Sequence, residues 1–272
     1  MLIYKEKEGT TLLKSEENPI DHRHDKMVRR HWGDGRDSYC IMNALVPGAK
    51  SIDDCVAAGW PRWLASLCIW VYDIDSESDD QMEDAIDFAR QIAEAIRTPT
   101  NYEKAKLRFL LSILTEIGPI DKHGNVEIAS ETIRQAIEDQ PADFEDTLAR
   151  MDKNASEKIW GQDNPPSIES HIDKNVHQAA VSAISRRAVD LCLRAAIAQE
   201  ASALRHKLGA EATSPLAFPT IIPSSYRTAL IDAIRQSQIS KDSTSEEETQ
   251  NGDNTVIAVI KKLLRLTPTS ER

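Results

Sequence analysis

The sequence predicts an all-α protein, and three observations carry that prediction. Ala and Ile are the two commonest residues and Leu, Glu and Arg are also frequent, a mix that favours helices over sheets. Glycine is scarce, at 10 of 272 residues, and alternating apolar residues typical of strands are rare. Apolar residues instead recur at spacings of three and four. We expect an irregular helical domain around a tryptophan-rich buried helix, followed by a long alanine-rich helix.

Five parts of the chain differ in pattern. We predict an irregular N-terminal segment at 1–39, a helical core domain at 40–160, a long-helix region at 165–238, a disordered linker at 239–253 and a terminal amphipathic helix at 254–266. Within the first part, a short helix is expected over residues 25–32. The linker prediction depends on the polar, low-complexity run SKDSTSEEETQNGDN, which has too few apolar residues to fold.

The core domain begins with two helices whose ends are well specified. Ser51 stands three residues before Asp54, which is typical of a capping-box start. Gly59 suits the end of that short helix, and Pro61 suits the first turn of the next. The second helix, over residues 61–72, is apolar on nearly every side, and three of the five tryptophans lie between residues 60 and 70. Such a helix is expected in the core.

The remaining helices follow from apolar periodicity and from breakers. Pro99 and the pair Gly118-Pro119 end two of them. Residues 167–208 predict a long alanine-rich helix, and because forty helical residues span about 60 Å, we expect a kink or split near Asn175. The predicted ranges are 79–97, 102–117, 130–138, 142–151, 167–208 and 224–236.

Composition and charge limit the classes of function. Hydrophobic residues make up 40% of the chain and charged residues 28%, as in globular proteins with a core. The net charge is −11, and residues 51–100 supply −8 of it, which argues against general binding to nucleic acid or anionic membranes. No apolar run is long enough to predict a membrane span, and the N-terminus lacks the pattern of a signal peptide. Four widely spaced cysteines predict reduced thiols and a cytoplasmic protein. These cysteines are Cys40, Cys55, Cys68 and Cys192.

An acidic cluster follows the tryptophan-rich helix and admits two interpretations. Asp80, Asp84 and Asp87 lie at i, i+4 and i+7, so they share a helix face where bound Mg²⁺ would relieve their repulsion. The alternative is that the first acids cap the helix and the later ones face solvent. We expect the capping arrangement, because no second acidic motif is found on a later helix. The candidate metal ligands are Asp79, Asp80, Glu83, Asp84 and Asp87.

The terminal helix is a candidate partner-binding element. Its apolar residues fall on one side, and its basic residues come late. Behind a flexible linker, it resembles a helix that docks into the groove of a partner, although it can equally pack on its own body. The candidate contact residues are Ile257, Ile260, Lys261 and Leu264.

The stretch CIMNALVPGAKSIDDCVAAGWPRWLA resembles a pattern in uncharacterised bacterial and phage-associated proteins. The resemblance covers about a seventh of the chain, with Ile at position 41 where the pattern has Leu. It implies a bacterial or prophage setting and carries no activity. The matching residues are Cys40, Met42, Ala44 to Ala49, Ser51, Asp54, Cys55, Ala58 to Pro61 and Trp63 to Ala65.

Two functions follow as expectations. The first is a non-enzymatic cytoplasmic interaction or adaptor protein that needs no cofactor and binds a protein partner through its acidic surface or its terminal helix. The second is a Mg²⁺-dependent all-α enzyme that acts on diphosphate or nucleotide substrates through residues 79–84. The sequence contains no phosphate loop, dinucleotide fingerprint or serine nucleophile elbow.

Overall fold

The computed structural model describes residues 11–13, 17–28, 32–33, 35–73, 79–159, 168–185, 187–207 and 224–239. Within these ranges the chain forms ten α-helices and no β-strand, which confirms the all-α prediction. None of the described helices is long and apolar enough to cross a membrane. The predicted terminal helix and the linker beyond Ile239 lie outside the described residues.

Ten helices follow one another in chain order. They are α1 (Ile41–Leu45), α2 (Ile52–Ala57), α3 (Arg62–Asp73), α4 (Asp79–Ala95), α5 (Tyr102–Ile117), α6 (Asn125–Ile137), α7 (Phe144–Lys158), α8 (Ile168–Ser185), α9 (Val189–Lys207) and α10 (Ser224–Arg235). The predictions for α3, α4, α5 and α10 agree to within two residues at each end. Helix α6 begins five residues earlier than predicted, and α7 ends seven residues later.

The two ends of α2 confirm its capping signals, whereas Pro61 immediately precedes the first residue of α3. The Ser51 hydroxyl accepts a hydrogen bond from the Asp54 N–H at 3.2 Å, and the Asp54 carboxylate accepts one from the Lys50 N–H at 2.8 Å. Gly59 takes a left-handed φ of +97°, and the Trp60 N–H donates back to the Cys55 carbonyl at 3.0 Å. This closing bond is typical of a Schellman motif. The turn at Gly59 therefore sets the direction in which the chain continues from α2 into α3.

The prediction of a helix over residues 25–32 is wrong. The chain forms a three-residue 3-10 turn at His24–Lys26 and is extended at Met27. The backbone hydrogen bonds go to another segment: the Tyr39 N–H donates to the Lys26 carbonyl at 2.9 Å, and the Val28 N–H donates to the Tyr39 carbonyl at 2.8 Å. Backbone pairing of residues 26–28 with Tyr39, eleven to thirteen residues later in the chain, thus replaces the local helix that the residue types favour.

The described N-terminal residues pack along α4. The Leu12 N–H donates to the Ile96 carbonyl at 3.2 Å, and the buried Asn18 amide donates to both the Arg90 carbonyl and the Glu94 carboxylate at 3.1 Å. Leu13, Ile20 and Met27 join the main hydrophobic core. These residues are therefore irregular in conformation but fixed in position.

Helix α5 lies at the centre of the fold. Its side chains Phe109, Leu110, Ile113 and Leu114 are fully buried, and the helix packs against α6, α8, α9 and α10. A single cluster of buried hydrophobic residues runs from Leu13 to Ile234 and includes residues on both sides of positions 160–165. The core domain and the long-helix region that the sequence predicts therefore share one core.

The expected long helix is two helices, and the predicted split near Asn175 is wrong. Asn175 lies inside α8, and the chain turns after Ser185, where Arg187 has a left-handed φ of +47°. A three-residue connection joins α8 to α9, and the two pack along each other as an antiparallel hairpin. Their contact is rich in small side chains, including Ala179, Ala183 and Ala196. Folding back buries both alanine faces, which one straight helix could not do in a domain of this size.

The tryptophan-rich helix α3 is less buried than its sequence predicts. Leu64, Leu67 and Cys68 are buried on one side, whereas Trp63 and Trp70 are only partly buried on the other. The third tryptophan, Trp60, is buried in the turn before the helix. The indole rings thus lie at the boundary of the core.

A pair of glycine variants tests the loop between residues 33 and 38. Gly33 has a φ of +72°, and a Cβ there would lie 2.3 Å from the Ser38 carbonyl oxygen, whereas Gly48 has a φ of +87° and open space around it. Each change to alanine should cost about 1–2 kcal/mol for the left-handed backbone. Gly33→Ala should cost roughly 1–3 kcal/mol more, because the loop must shift. Urea unfolding measures both, and equal losses would contradict the packing of this loop.

Candidate functional site

The partly exposed side of α3 adjoins an exposed side of α9. Trp63 and Trp70 are seven residues apart and therefore lie on one face of α3. Leu191 and Arg194 are three residues apart and lie on one face of α9, which packs against α3. We call Trp63, Trp70, Leu191 and Arg194 the α3/α9 surface.

One contact joins the two halves of the α3/α9 surface. The Arg194 guanidinium carbon lies 4.6 Å from the centroid of the Trp70 ring, within the range of a cation–π interaction. Leu191 is 43% exposed, the highest value for a large hydrophobic residue in the described part of the chain. Arginine and tryptophan are the residues most enriched at the energetic centres of protein interfaces. The α3/α9 surface therefore contains two of the residue types that are enriched at such centres.

Local structure explains why these side chains meet. The turn at Gly59 and the start of α3 at Arg62 set the direction of α3, so its aliphatic side faces the core and its indoles lie partly buried at the edge of the core. The turn at Arg187 starts α9 close by, and Val189, Cys192 and Leu193 bury the opposite side of that helix. Leu191 and Arg194 remain outside. Neither Leu191 nor Arg194 was identified from the sequence. Leu191 could have been noticed, because it is apolar but falls outside the helical spacing of the buried residues of α9.

The acidic cluster lies at the start of α4. Asp79 and Asp80 are the first two residues of the helix, and their side chains lie outside the described part. Glu83, Asp84 and Asp87 are exposed. The Asp87 carboxylate accepts hydrogen bonds from Arg90 Nη1 at 3.3 Å and Gln91 Nε2 at 2.8 Å. Some of the negative charge on this face is therefore already balanced within α4.

Two of these acids line a crevice between α4 and α10. Its volume is about 140 Å³, with Phe88 and Ile231 among its apolar lining. The α10 wall carries Arg227 rather than a second set of carboxylates. Among the described side chains, no group of three or more His, Cys, Asp or Glu residues is arranged to hold a metal ion. The crevice is thus lined by the acids Asp84 and Asp87 of α4 and by the cation Arg227 of α10.

A second polar cluster surrounds the start of α6. The Asn125 Nδ2 lies 3.3 Å from His177 Nδ1 on α8, and because Nδ2 can only donate, Nδ1 accepts. Both side chains are buried. Burial lowers the pKa of His177, although Asp152 and Asp121 oppose the shift. Both the hydrogen bond to Nδ1 and the lowered pKa favour a neutral imidazole at His177.

The four cysteines are buried and free. Burial raises the pKa of the Cys55 thiol to about 11 and also raises the pKa values of Cys40, Cys68 and Cys192. All four cysteines belong to the main hydrophobic core. Cys40 has a local role as well, since its sulfur accepts a hydrogen bond from the Asn43 N–H at 3.3 Å at the start of α1. Raised pKa values disfavour the reactive thiolate in all four.

The terminal segment lies outside the described residues. Ile257, Ile260, Lys261 and Leu264 therefore stay predicted partner contacts.

Magnesium titration separates the two interpretations of the acidic cluster. If the first acids cap α4 and the later ones only face solvent, the double change Asp80→Asn and Asp84→Asn should alter the free energy of unfolding by about 1 kcal/mol or less. Mg²⁺ should then leave the melting temperature of the parent chain unchanged.

The control is a matched change at Glu145→Gln and Asp146→Asn, two acids in the first turn of α7. A rise in melting temperature with Mg²⁺ that disappears only in the α4 variant would instead support the metal interpretation.

The stability of the protein should fall as the pH drops from 7.5 to 5.5, and His177 should account for part of the fall. Its pKa in the folded state lies below the ordinary 6.5, so the unfolded chain binds more protons in this range. The loss reaches at most about 1.4 kcal/mol at pH 5.5. His177→Gln should reduce the difference in unfolding free energy between the two pH values. The same pH dependence in both proteins would show that His177 is not held neutral.

Comparison with known proteins gives no relative for this chain. No family model matches it, and no curated protein or solved structure matches it either. The resemblance of residues 40–65 to bacterial and phage-associated proteins therefore stays a prediction. Function has to be inferred from the geometry described above.

Proposed function

We propose that this chain is a non-enzymatic interaction module that binds a protein partner through the α3/α9 surface. The observation that carries the proposal is the stacking of Arg194 on Trp70 at 4.6 Å beside the exposed Leu191. Burial of such a cluster by a partner removes apolar area from water at little conformational cost, because the helices already hold the side chains in place.

The energetics favour binding at this place. Fully burying a leucine side chain stabilises by about 1.5–3 kcal/mol relative to leaving it in water, and Leu191, which is 43% exposed, retains somewhat less than half of that gain for an intermolecular contact. Trp70 and Arg194 are held together before binding, so little further ordering is needed. A small number of such residues often supplies most of the free energy of an interface.

Charge indicates the kind of partner. The chain carries a net charge of −11, and Asp190 lies exposed next to Leu191. A partner with a net positive charge would be attracted by this overall field, while its contact with the surface itself has to accommodate both Asp190 and Arg194. The four free, buried thiols support a cytoplasmic setting. The resemblance near the tryptophan-rich helix supports a bacterial or phage origin.

The magnesium-dependent function is the alternative that the sequence pattern raises. Its support is the spacing of Asp80, Asp84 and Asp87 along α4. The described wall of α10 contributes Arg227 to the crevice rather than a second carboxylate motif. The α3/α9 surface therefore takes precedence, and the magnesium titration tests the alternative directly.

Two charge substitutions at exposed hydrophobic residues test the interaction. The chain immobilised on resin should capture a partner from a lysate of its native host, and Leu191→Asp should reduce capture at least tenfold, because it places a carboxylate in the apolar contact. The loss corresponds to about 1.4 kcal/mol or more.

Val56→Asp is the matched control, because Val56 on α2 is 37% exposed and lies outside the α3/α9 surface. It should leave capture unchanged, and circular dichroism should show both variants folded. Equal capture by both variants, or equal loss, would contradict the proposed site.

A further inference from the structure

The polar junction of α6 with α8 contains a buried oxygen that lacks a hydrogen-bond donor. Asn125 is fully buried, and its Nδ2 lies 3.3 Å from Nδ1 of His177. The other end of the same amide, Oδ1, is also buried and accepts no hydrogen bond in the described part of the chain. An amide oxygen kept from water without a donor destabilises a fold, and for that reason such atoms are rare in folded proteins.

We propose that the Asn125 amide turns over when His177 gains a proton, so that this junction is a pH-dependent hydrogen-bond switch. In the neutral ring, Nδ1 has a lone pair and accepts from Nδ2. In the charged ring, Nδ1 carries a proton and needs an acceptor. A half-turn of the amide about its Cβ–Cγ bond brings Oδ1 to the place that Nδ2 held. The α3/α9 surface plays no part in this switch.

The half-turn needs almost no space. The two ends of an amide are nearly identical in size, and rotation about the Cβ–Cγ bond of asparagine is roughly two-fold. Neither α6 nor α8 therefore has to move. The hydrogen bond of the charged form is also the stronger of the two, because one of its partners is ionised.

The charges that act on His177 come from two neighbouring elements. Asp152 of α7 and Asp121 of the loop before α6 favour the charged ring, whereas burial and His123 of the same loop oppose it. Burial has the largest effect, so the ring is neutral until the pH falls below the usual range of histidine.

The carboxylate of Asp173, one turn before His177 on α8, is already shared by other groups. It lies 3.7 Å from Nε2 of His123 and 3.9 Å from Nζ of Lys122. A charge gained by His123 is therefore offset by Asp173. The proton on Nδ1 of His177 is instead placed to meet the amide of Asn125.

A fixed amide would give a different response to acid. With Nδ2 still in place, two donors would face each other at 3.3 Å, and the start of α6 would separate from α8 as His177 became charged. An amide that turns keeps the two helices in contact through the titration. The junction can then gain a buried charge without opening.

Nuclear magnetic resonance of the full chain tests the switch between about pH 8 and about pH 5, on both sides of the ordinary histidine pKa. At the higher pH, the amide protons of Asn125 should show a nuclear Overhauser effect to Hε1 of His177, because they point at the adjacent Nδ1. Below the titration midpoint of His177, we expect this effect to be lost and the Nδ1 proton to exchange slowly. His171, exposed on the same helix, is the internal control, and its titration should leave the Asn125 signals unchanged.

Two variants separate the switch from a general effect of pH. In His177→Gln, the Asn125 signals should no longer depend on pH in this range. Asn125→Asp is nearly isosteric, and its carboxylate accepts from the charged ring but cannot donate to the neutral one. This change should raise the pKa of His177 by about one unit or more, a tenfold change in proton affinity.

Four results would overturn the proposed switch. A nuclear Overhauser effect that persists in the charged form would show that the amide does not turn. Faster backbone exchange at the start of α6 below the midpoint would show that the junction opens instead. A pH-dependent Asn125 signal in His177→Gln would assign the change to another group. An unchanged pKa of His177 in Asn125→Asp would show that the two side chains are not in contact.

Discussion

The burial of α5 is the constraint on which the rest of the structure depends. Its aliphatic and aromatic side chains, with Phe109 and Leu110 at the centre, are removed from water on nearly all sides. Because this burial needs neighbours on several sides, α6, α8, α9 and α10 are all drawn onto one helix. The end of α10 is then fixed by hydrogen bonds from Arg108 to the Gln236 carbonyl at 2.7 Å and to Ser237 at 2.8 Å. Distant parts of the chain thereby share one core.

The α8–α9 hairpin connects the burial of α5 with the arrangement of side chains at the surface, because α9 contacts both α5 and α3. Alanines at its contact allow the two helices to pack closely, and α9 can then contact α5 and α3 together. The position of α9 brings the exposed Arg194 over the ring of Trp70. The α3/α9 surface therefore arises where the packing of the core brings two helix edges together.

Several polar groups inside the described part of the fold stabilise packing and helix ends. Asp121 accepts hydrogen bonds from the N–H groups of His123 and Val126 at the start of α6, at 3.0 and 2.6 Å. Thr132 and Thr147 join α6 to α7 through a hydroxyl contact of 2.8 Å. Such contacts satisfy buried groups that would otherwise destabilise the helix junctions. They are consistent with a protein that presents a rigid surface.

The sequence by itself determined most of the helical segments and some of their ends, although it missed α1 and predicted a helix over residues 25–32 that does not form. Ser51 and Gly59 act through contacts within a few residues, and the apolar spacing of α4 and α5 records which side of each helix is buried. Local physics sufficed for these features, because each depends on neighbours along the chain.

Only the tertiary structure decided the turn at Arg187, the loss of the helix expected over residues 25–32, and the meeting of Trp70 with Arg194. No glycine or proline marks that turn, and no local pattern relates residue 70 to residue 194. These features depend on the free energy of burying faces that are far apart in sequence, which local propensity does not encode. The α3/α9 surface belongs to this second group, because it exists only once α9 has packed beside α3.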